Sequence, residues 1–434
     1  MNNRRVVVTG MGVLSPIGAD LNTFYDSLIW GRCGIKKIED LVELQFGCQV
    51  GGRVELEKSP CYPYLETFLL SEASNVVKYA VVAGLEAWNN AQLPICETLD
   101  NEPDYDTGII TGSAIGTIDM YENKILPSIQ NKTIRRLRST TIEHSMLSAA
   151  SANLANILGL ANYIGFNSSA CSTGAESIIL GFEHIRQGLA TRMLVGGVDI
   201  YTAAGWAGFD AMRVTTRMYN NQPLQASRPM SASASGFVPA EGCGMLVLEE
   251  YETAIRRGAP IYAEIVGGSL NSGGQRKGGT MTAPSAEGVI RCINAAIQES
   301  YVDVNEIDLI AGHLSSTMAD VLEVQNWSTA LHRKGKDFPY INSLKSLTGH
   351  CIGATGAIET IAAVLQLKEQ FIHASIHCED LHPDIEKIIA DEKIPHQTKK
   401  NIPLHYIAKS SFGFGDTNAV LILKNIDYEY QREK

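Results

Sequence analysis

The stretches TGAESIILGFEHIRQG (residues 173–188) and TGAIETIAAVLQLKEQ (residues 355–370) open on the same Thr-Gly-Ala, space their apolar residues alike and end polar. In the first, Ile178, Phe182, Ile185 and Leu189 recur at helical spacing, so a helix begins close to Cys171. Two helices matching this loosely would mean little by themselves. One, however, follows SSACS (168–172) and the other LTGHCIGA (347–354), and we read them as equivalent central helices of two related halves. Cys171 sits where free backbone N–H groups and the positive end of the helix dipole would favour a thiolate, among small neighbours that leave room for a substrate. Packing alone is the ordinary fate of a cysteine, and this stretch by itself does not decide between the two.

Outward from these helices, apolar runs bounded by glycine alternate with helical patterns. RVVVTG, GIITG, MLVGGVD, GMLVLEE and YAEIVGGSL predict strands, with helices at about 72–92, 143–158 and 175–189. DLIAGH, YIN, YIAKSSFG and AVLILK continue the pattern, with helices near 286–300, 319–331 and 356–370. Continuous apolar strands between helices indicate α/β layers with both sheet faces covered. EYETAIRRGA (250–259) reads as a connecting helix, which divides the chain into halves at 1–255 and 256–434.

A chain of 434 residues with 45% hydrophobic content can bury a large core, and a net charge of -11 argues against general nucleic-acid binding. The nine cysteines (33, 48, 61, 96, 171, 243, 292, 351, 378) show no CxxC spacing, which fits a reducing compartment and predicts a cytoplasmic protein without a disulfide framework. The start, MNNRRVVVTGMGVLS, passes directly into a strand pattern, and no apolar stretch reaches spanning length, so neither a signal peptide nor an anchor is expected.

Chemistry concentrates in the second half. His313 in LIAGHLSST follows a buried-type strand, and Lys345 and His350 stand five positions apart in NSLKSLTGHCIGATGA. Strand ends in α/β folds are where reactive side chains gather. A lone loop histidine is ordinarily solvated or satisfies local backbone, but two histidines, a lysine and a cysteine at a helix start are harder to dismiss together. The glycine-rich turn in SSFGFGDTNA (410–419) can bring backbone N–H groups close to a ligand, or can be merely a tight hairpin.

Cys171 in SSACSTGAE, His313 in GHLSST, Lys345 and His350 in NSLKSLTGHCIGATG, and Phe412 in SSFGFGDTN together resemble the elongating β-ketoacyl-acyl-carrier-protein synthases. RVVVTGMGVLSPIG, SRPMSASASGFVPAEGCGMLVLEE and MTAPSAEG are similar to that family in the same order, so the resemblance covers nearly the whole chain. It implies the thiolase fold, two duplicated α/β halves in five layers, and an acyltransferase that needs no cofactor or metal. Cys171 would carry the acyl chain as a thioester. His313 and His350 would bind the malonyl thioester carbonyl and promote decarboxylation, and the enolate would attack the acyl-Cys. Backbone N–H groups of Cys171 and Phe412 would form an oxyanion site, with Phe412 gating the acyl pocket. Lys345 would order the site, with Glu323 and Thr317 in support. The implied partners are acyl carrier protein and a second subunit, in a homodimer or a heterodimer with a related chain. Arg135, Arg136, Arg213 and Arg217 are candidates to meet the acidic carrier.

Thiolases carry a second cysteine in the last glycine-rich turn, which here reads FGFGDTN. Initiating synthases pair the cysteine with one histidine and one asparagine. Silent chain-length partners lack the cysteine, although the altered His313 loop keeps that non-catalytic role as the alternative. Leu314 would crowd a place the family keeps for glycine and so alter the pantetheine tunnel. Ser231, Ala234 and Ser235 stand where the family has Asp, Arg and Asp, which predicts loss of a charge network, and Asp416 replaces a glycine. These departures point to a specialised substrate such as a polyketide-like or aryl-polyene chain. HASIHCEDLH (373–382) matches no common zinc spacing.

Overall fold

The shared Thr-Gly-Ala has a steric cause. In the computed structural model, which describes residues 4–95 and 102–428, the two central helices cross so closely that a Cβ on Gly174 would lie 2.7 Å from Ala357 N, and one on Gly356 would lie 2.5 Å from Ala175 N. Each glycine receives the backbone of the other helix's alanine, and a larger residue at either place would push the helices apart. Cys96 and the first three residues lie outside the described residues.

The main sheet is built from β1 (Val6–Leu14), β2 (Thr107–Gly112), β3 (Ile164–Asn167), β4 (Arg192–Asp199), β5 (Gly242–Glu250), β6 (Ala263–Ser272), β7 (Ile307–Ala311), β8 (Tyr340–Asn342), β9 (Tyr406–Gly413) and β10 (Thr417–Lys424). Their order across the sheet is β3-β2-β4-β5-β1-β6-β10-β9-β7-β8. Read from each outer edge, both halves have the same order and the same sense of pairing, parallel between the outer three strands and antiparallel further in. The halves meet at an antiparallel joint where Val6 faces Ile265, Val7 faces Glu264 and Val8 faces Ala263.

Helices α1 (Asn75–Asn90), α2 (Ala149–Leu158), α3 (Thr173–Arg186), α4 (Ala286–Ser300), α5 (Ala319–Leu331) and α6 (Thr355–Glu369) cover the strands. Strand alternation assigns the layers. Leu246 and Leu248 of β5 join a core with α3 and α6, while Met245 and Val247 join α1 and α2. In β10, Leu421 and Leu423 face that same central core, and Val420 and Ile422 face α4 and α5. The result is α1/α2, the β1–β5 half of the sheet, α3/α6, the β6–β10 half, α4/α5, the five layers of the thiolase fold. Every residue of α6 from Thr355 to Leu367 is buried, as a helix between two sheets must be. The outer α4 is amphipathic and begins on a Ser285 side chain that accepts from Gly288 N.

The short edge strand β3 was not expected from the sequence. Its four residues follow an Asn-Tyr turn and carry an exposed Ile164, so no apolar run marks them. Tyr251–Arg257 is a helix, as its spacing predicts, and ends on Gly258 in the left-handed region. No helix among the described residues is long and apolar enough to cross a membrane.

Candidate active site

Four chain segments converge where strands end. Cys171 lies in a single 3-10 turn, Ala170–Ser172, between β3 and α3. Ala170 before it is held at φ 52, and Ile352, its counterpart ahead of α6, at φ 48. A left-handed residue with a Cβ costs about 1 kcal/mol or more, and here it lifts the cysteine out of the strand line toward the other half. Thr173 secures the turn by accepting from Ser169 N at 2.9 Å and donating to Ala170 O at 2.7 Å. His313 follows β7, Lys345 opens the short helix Lys345–Thr348 after β8, and His350 precedes α6.

The structure brings Cys171, His313 and His350 together, with one ligand-type atom from each lying within 4.8 Å of the others. His350 Nε2 is 3.1 Å from Cys171 Sγ, and its Nδ1 accepts from Ile352 N at 3.1 Å. A backbone N–H can only donate, so Nδ1 is the bare nitrogen and Nε2–H is the donor toward sulfur. The Lys345 ammonium likewise lies 3.5 Å from His313 Nδ1, leaving the proton on Nε2. Burial, joined by the charges of Lys345 and Lys409, pulls both imidazoles well below their usual range, so both are neutral donors at physiological pH. The rings meet edge to face at 5.4 Å, and Phe237 and Phe412 enclose them.

Cys171 departs from the expected thiolate. It is 9% exposed, and burial pushes its thiol up to about 11, against the opposing pull of Lys345 and the Phe414 backbone N–H. The helix start is present, but an apolar enclosure outweighs it. The resting group is a thiol, with the His350 Nε2–H and the Phe414 N–H placed to receive negative charge.

That amide corrects a second expectation. Phe412 lies in the ladder opposite Asn418, with its ring against His313. The N–H that reaches the sulfur is that of Phe414, two residues on, where the chain has left the strand. Gly413 permits the approach, since a Cβ there would lie 2.8 Å from Ser169 O and 3.1 Å from Cys171 N. Both phenylalanines line the cavity.

Lys345 does not pair with Glu323. Its ammonium lies 2.6 Å from Glu359 Oε1 and also donates to His313 O. Glu323 instead accepts from His313 N and Leu314 N, both at 2.7 Å, and from Ser410 Oγ at 2.8 Å. Burial pushes it up to about 7 in spite of those donors. Glu323 therefore shapes the backbone that carries His313. Glu359, Lys409 and Asp199 were missed by reading the sequence. Asp199 ties the halves by accepting from Ser113 Oγ at 2.5 Å, Ile115 N at 3.1 Å and Gly353 N at 2.6 Å. Glu359 and Lys409 stand inside an apolar helix and strand and Asp199 ends an apolar strand, and a charge in such a place was the available signal.

Leu314 does not crowd the tunnel. It is fully buried in the outer core with Val324, Trp327 and Phe412, outside the cavity lining. Leu314→Ala is expected to cost about 2–5 kcal/mol of stability while leaving acyl selectivity unchanged, as denaturant unfolding beside product chain length would register. Thr317 lines the cavity and lies 3.0 Å from Ser315 Oγ. The predicted loss of a charge network is also amended. Arg228 pairs with Asp380 at 3.1 Å, Ser231 bonds the same carboxylate at 2.5 Å, and Asp320 holds Met230 N at 2.9 Å. Ala234 and Ser235 line the cavity instead. Asp416, fully buried at φ 60, accepts from Gln275 N and Ser285 N and fastens the 273–285 loop to the glycine-rich turn.

The cavity has a volume of about 420 Å³ and a largely aromatic and aliphatic wall that includes Phe209, Val214, Phe237, Ile352 and Phe414. Of the four arginines proposed for a carrier, Arg213 lines this cavity. Arg217 is committed to Asp210 at 3.3 Å. Arg135 and Arg136 lie exposed on the 3-10 turn Ile134–Arg136, and Arg136 borders a separate depression with Lys124, Arg138 and His144. The histidines of residues 373–382 do not converge: His373 Nδ1 is 2.9 Å from Ala374 O, and His382 caps a helix by accepting from Asp384 N. Cys171, His313 and His350 form a three-donor grouping, but the ammonium groups of Lys345 and Lys409 act on the same space and oppose a cation there.

Comparison with known proteins agrees with this geometry. The model of the beta-ketoacyl synthase N-terminal domain matches residues 3–254, and that of the C-terminal domain residues 262–379. The chain is 33% identical to 3-oxoacyl-[acyl-carrier-protein] synthase 2 of Vibrio harveyi over 98% of its length and 100% of that protein. It is 32% identical to the chloroplastic 3-oxoacyl-[acyl-carrier-protein] synthase I of Arabidopsis thaliana over 96% of its length and 86% of that protein. Among solved structures, a beta-ketoacyl synthase from Burkholderia phymatum superposes with a TM-score of 0.86 at 27% identity, covering 98% of this chain and 100% of that one. A type II polyketide ketosynthase solved with its acyl carrier protein (AntDE:AntF) superposes at 0.85 and 27% identity, with the same coverage. With both domain models matched in order and the cysteine and two histidines gathered in one cavity, the chain belongs to the beta-ketoacyl synthase family.

Proposed function

We propose that this protein is a β-ketoacyl-acyl-carrier-protein synthase that condenses an acyl thioester with a malonyl thioester, with loss of CO2, in fatty acid or polyketide-type elongation. The observation that carries this reading is the meeting of a buried thiol with two neutral imidazoles that keep their protons on Nε2, that of His350 directed at the sulfur, inside one apolar cavity.

Cys171 Sγ attacks the acyl carbonyl, and the carrier's pantetheine thiol departs with the cysteine proton. The Cys171 and Phe414 N–H groups receive the oxyanion. The malonyl thioester then binds with its carbonyl oxygen against His313 and His350 Nε2–H. Breaking the bond to the carboxylate releases CO2, and the electron pair spreads onto that oxygen as an enolate. The enolate carbon attacks the acyl-Cys carbonyl, the Cys171 thiolate leaves and takes up a proton, and a β-ketoacyl thioester two carbons longer remains on the carrier. Lys345, held by Glu359, fixes His313 in the tautomer this step needs.

The halves 1–255 and 256–434 each supply part of the site. Their common strand order supports this division. Arg213 at the cavity is the residue best placed to meet an acidic carrier, and the relative solved with its carrier protein supports that partner. The protein works in the cytoplasm, as a dimer with itself or with a related chain.

The test is mass spectrometry of products from acyl- and malonyl-carrier mixtures, beside the same acyl groups on coenzyme A. A β-keto product two carbons longer from carrier-bound substrates is the expected result. Neither product nor adduct across several acyl lengths would overturn the reading in favour of a silent, chain-length-setting subunit. Turnover of coenzyme A thioesters alone would overturn carrier dependence.

A further inference from the structure

The strand β9 carries a feature that the condensation chemistry above does not use. YIAKSSFG is buried along its whole length, yet its fourth residue is a lysine with no exposed surface. Alternation sends Lys409 and Ser411 toward the middle layer and Ser410 toward α5. Lys409 Nζ lies 3.0 Å from Glu359 Oε2, an ion pair whose approach is off the ideal hydrogen-bond direction, and donates to Ser410 O at 2.7 Å and to Ser411 Oγ. Lys345 holds the other oxygen of the same carboxylate. Two buried ammonium groups thus share one carboxylate. The neighbouring residues reach the remaining parts of the site: Ser410 donates to Glu323, which holds the His313 N–H, and Ser411 O accepts from the side chain of Ser172 beside Cys171 at 3.2 Å.

We propose that Lys409 is a positioning residue of the condensation centre: by sharing Glu359 with Lys345 it leaves one positive charge beside His313 and His350, which adds to burial in holding both imidazoles in the neutral, donating form and favours the negative charge of a carboxylated thioester and its enolate. The second half of this statement rests on the synthase reading; the first does not. The charged and titratable groups facing the ring pair are Lys345, Lys409, Glu359, Glu323 and Cys171. Lys409 acts on both rings in the direction that opposes protonation. Burial lowers its own affinity for a proton, and Glu359 opposes that effect.

A neutral imidazole is the working form and is lost as pH falls through its pKa, so removing a nearby positive charge moves the loss to higher pH. Lys409→Gln keeps polar contact with Ser410 and Ser411 but removes the charge. The experiment compares the histidine Cε1–H NMR signals of wild type, Lys409→Gln and Lys409→Arg between about pH 5 and 8, with the pH profile of malonyl-carrier decarboxylation measured in parallel.

In wild type, the His313 and His350 signals are expected to stay in place. In the Gln variant at least one is expected to titrate within the range, its midpoint raised by about one unit or more, a tenfold change in the acid/base ratio. The acid limb of decarboxylation is expected to move by a similar amount. Lys409→Arg is expected to keep the wild-type signals. A folded Gln variant whose imidazole signals match wild type throughout would overturn the proposal. If the Gln variant does not fold, a folded Arg variant whose imidazoles titrate upward would overturn it instead. Wild type that decarboxylates no malonyl thioester, with the imidazoles shifting as stated, would overturn the synthase reading and leave the electrostatic role standing.

Discussion

Cys171→Ala is expected to abolish the acyl adduct and the elongated product, with condensation falling at least about a thousandfold, while decarboxylation of malonyl-carrier continues. The split follows from the division of labour in the site. The acyl group has one attachment point, Cys171 Sγ, whereas the donors to the malonyl carbonyl are His313 and His350, which the substitution leaves in place. His350 Nδ1 remains fixed by Ile352 N, so its Nε2–H still points into the cavity. Intact-protein mass after incubation with acyl-carrier reads the first half-reaction, and CO2 release reads the second. Equal loss of both activities would mean that the cysteine organises the histidines rather than carrying the chain. In wild type, alkylation of Cys171 by a small neutral reagent should climb with pH well past neutrality, because burial pushes the thiol up to about 11 and the thiolate is the reacting form.

Lys345→Met is expected to be the most destabilising single change in the site. It removes the ammonium from a pair that is almost wholly buried, with side chains 1% and 4% exposed, and leaves Glu359 to Lys409 alone. Leaving a buried charge wholly unpaired costs about 3–5 kcal/mol, and the loss here is expected at or below the low end of that range, because Glu359 keeps one of its two ammonium partners. His313 loses at the same time the donor that bonds its carbonyl and fixes its Nδ1 as the bare nitrogen. Decarboxylation should therefore fall about a hundredfold or more in the fraction that folds, a loss comparable to removing one oxyanion donor. Chemical denaturation measures the first effect and single-turnover CO2 release the second. A variant as stable as wild type would show that Lys409 holds Glu359 unaided.

Local pattern carried much of the fold. The helices at 286–300 and 319–331 lie where apolar spacing places them, and the Thr-Gly-Ala echo marked two equivalent helices whose shared glycines the close crossing of α3 and α6 requires. Cys171, His313, Lys345 and His350 were legible as candidates because they lie near the end of a buried-type strand or the start of a helix, and their roles came from the resemblance of the combined motifs to a known family rather than from any one stretch.

What the sequence by itself determined was the alternation of strands and helices into α/β layers and which segments carry the reactive groups. What only the tertiary structure decided was which neighbour each group has: Glu359 rather than Glu323 for Lys345, the Phe414 amide rather than that of Phe412 at the sulfur, and the outer core rather than the tunnel for Leu314. Periodicity fixes the face of a strand or helix on which a residue lies. The choice between two carboxylates on different helices, or between amides two residues apart in a turn, turns on shifts of a few ångströms set by how the halves dock. The protonation states follow the same docking, since the enclosure that closes over Cys171 raises its thiol and lowers both imidazoles.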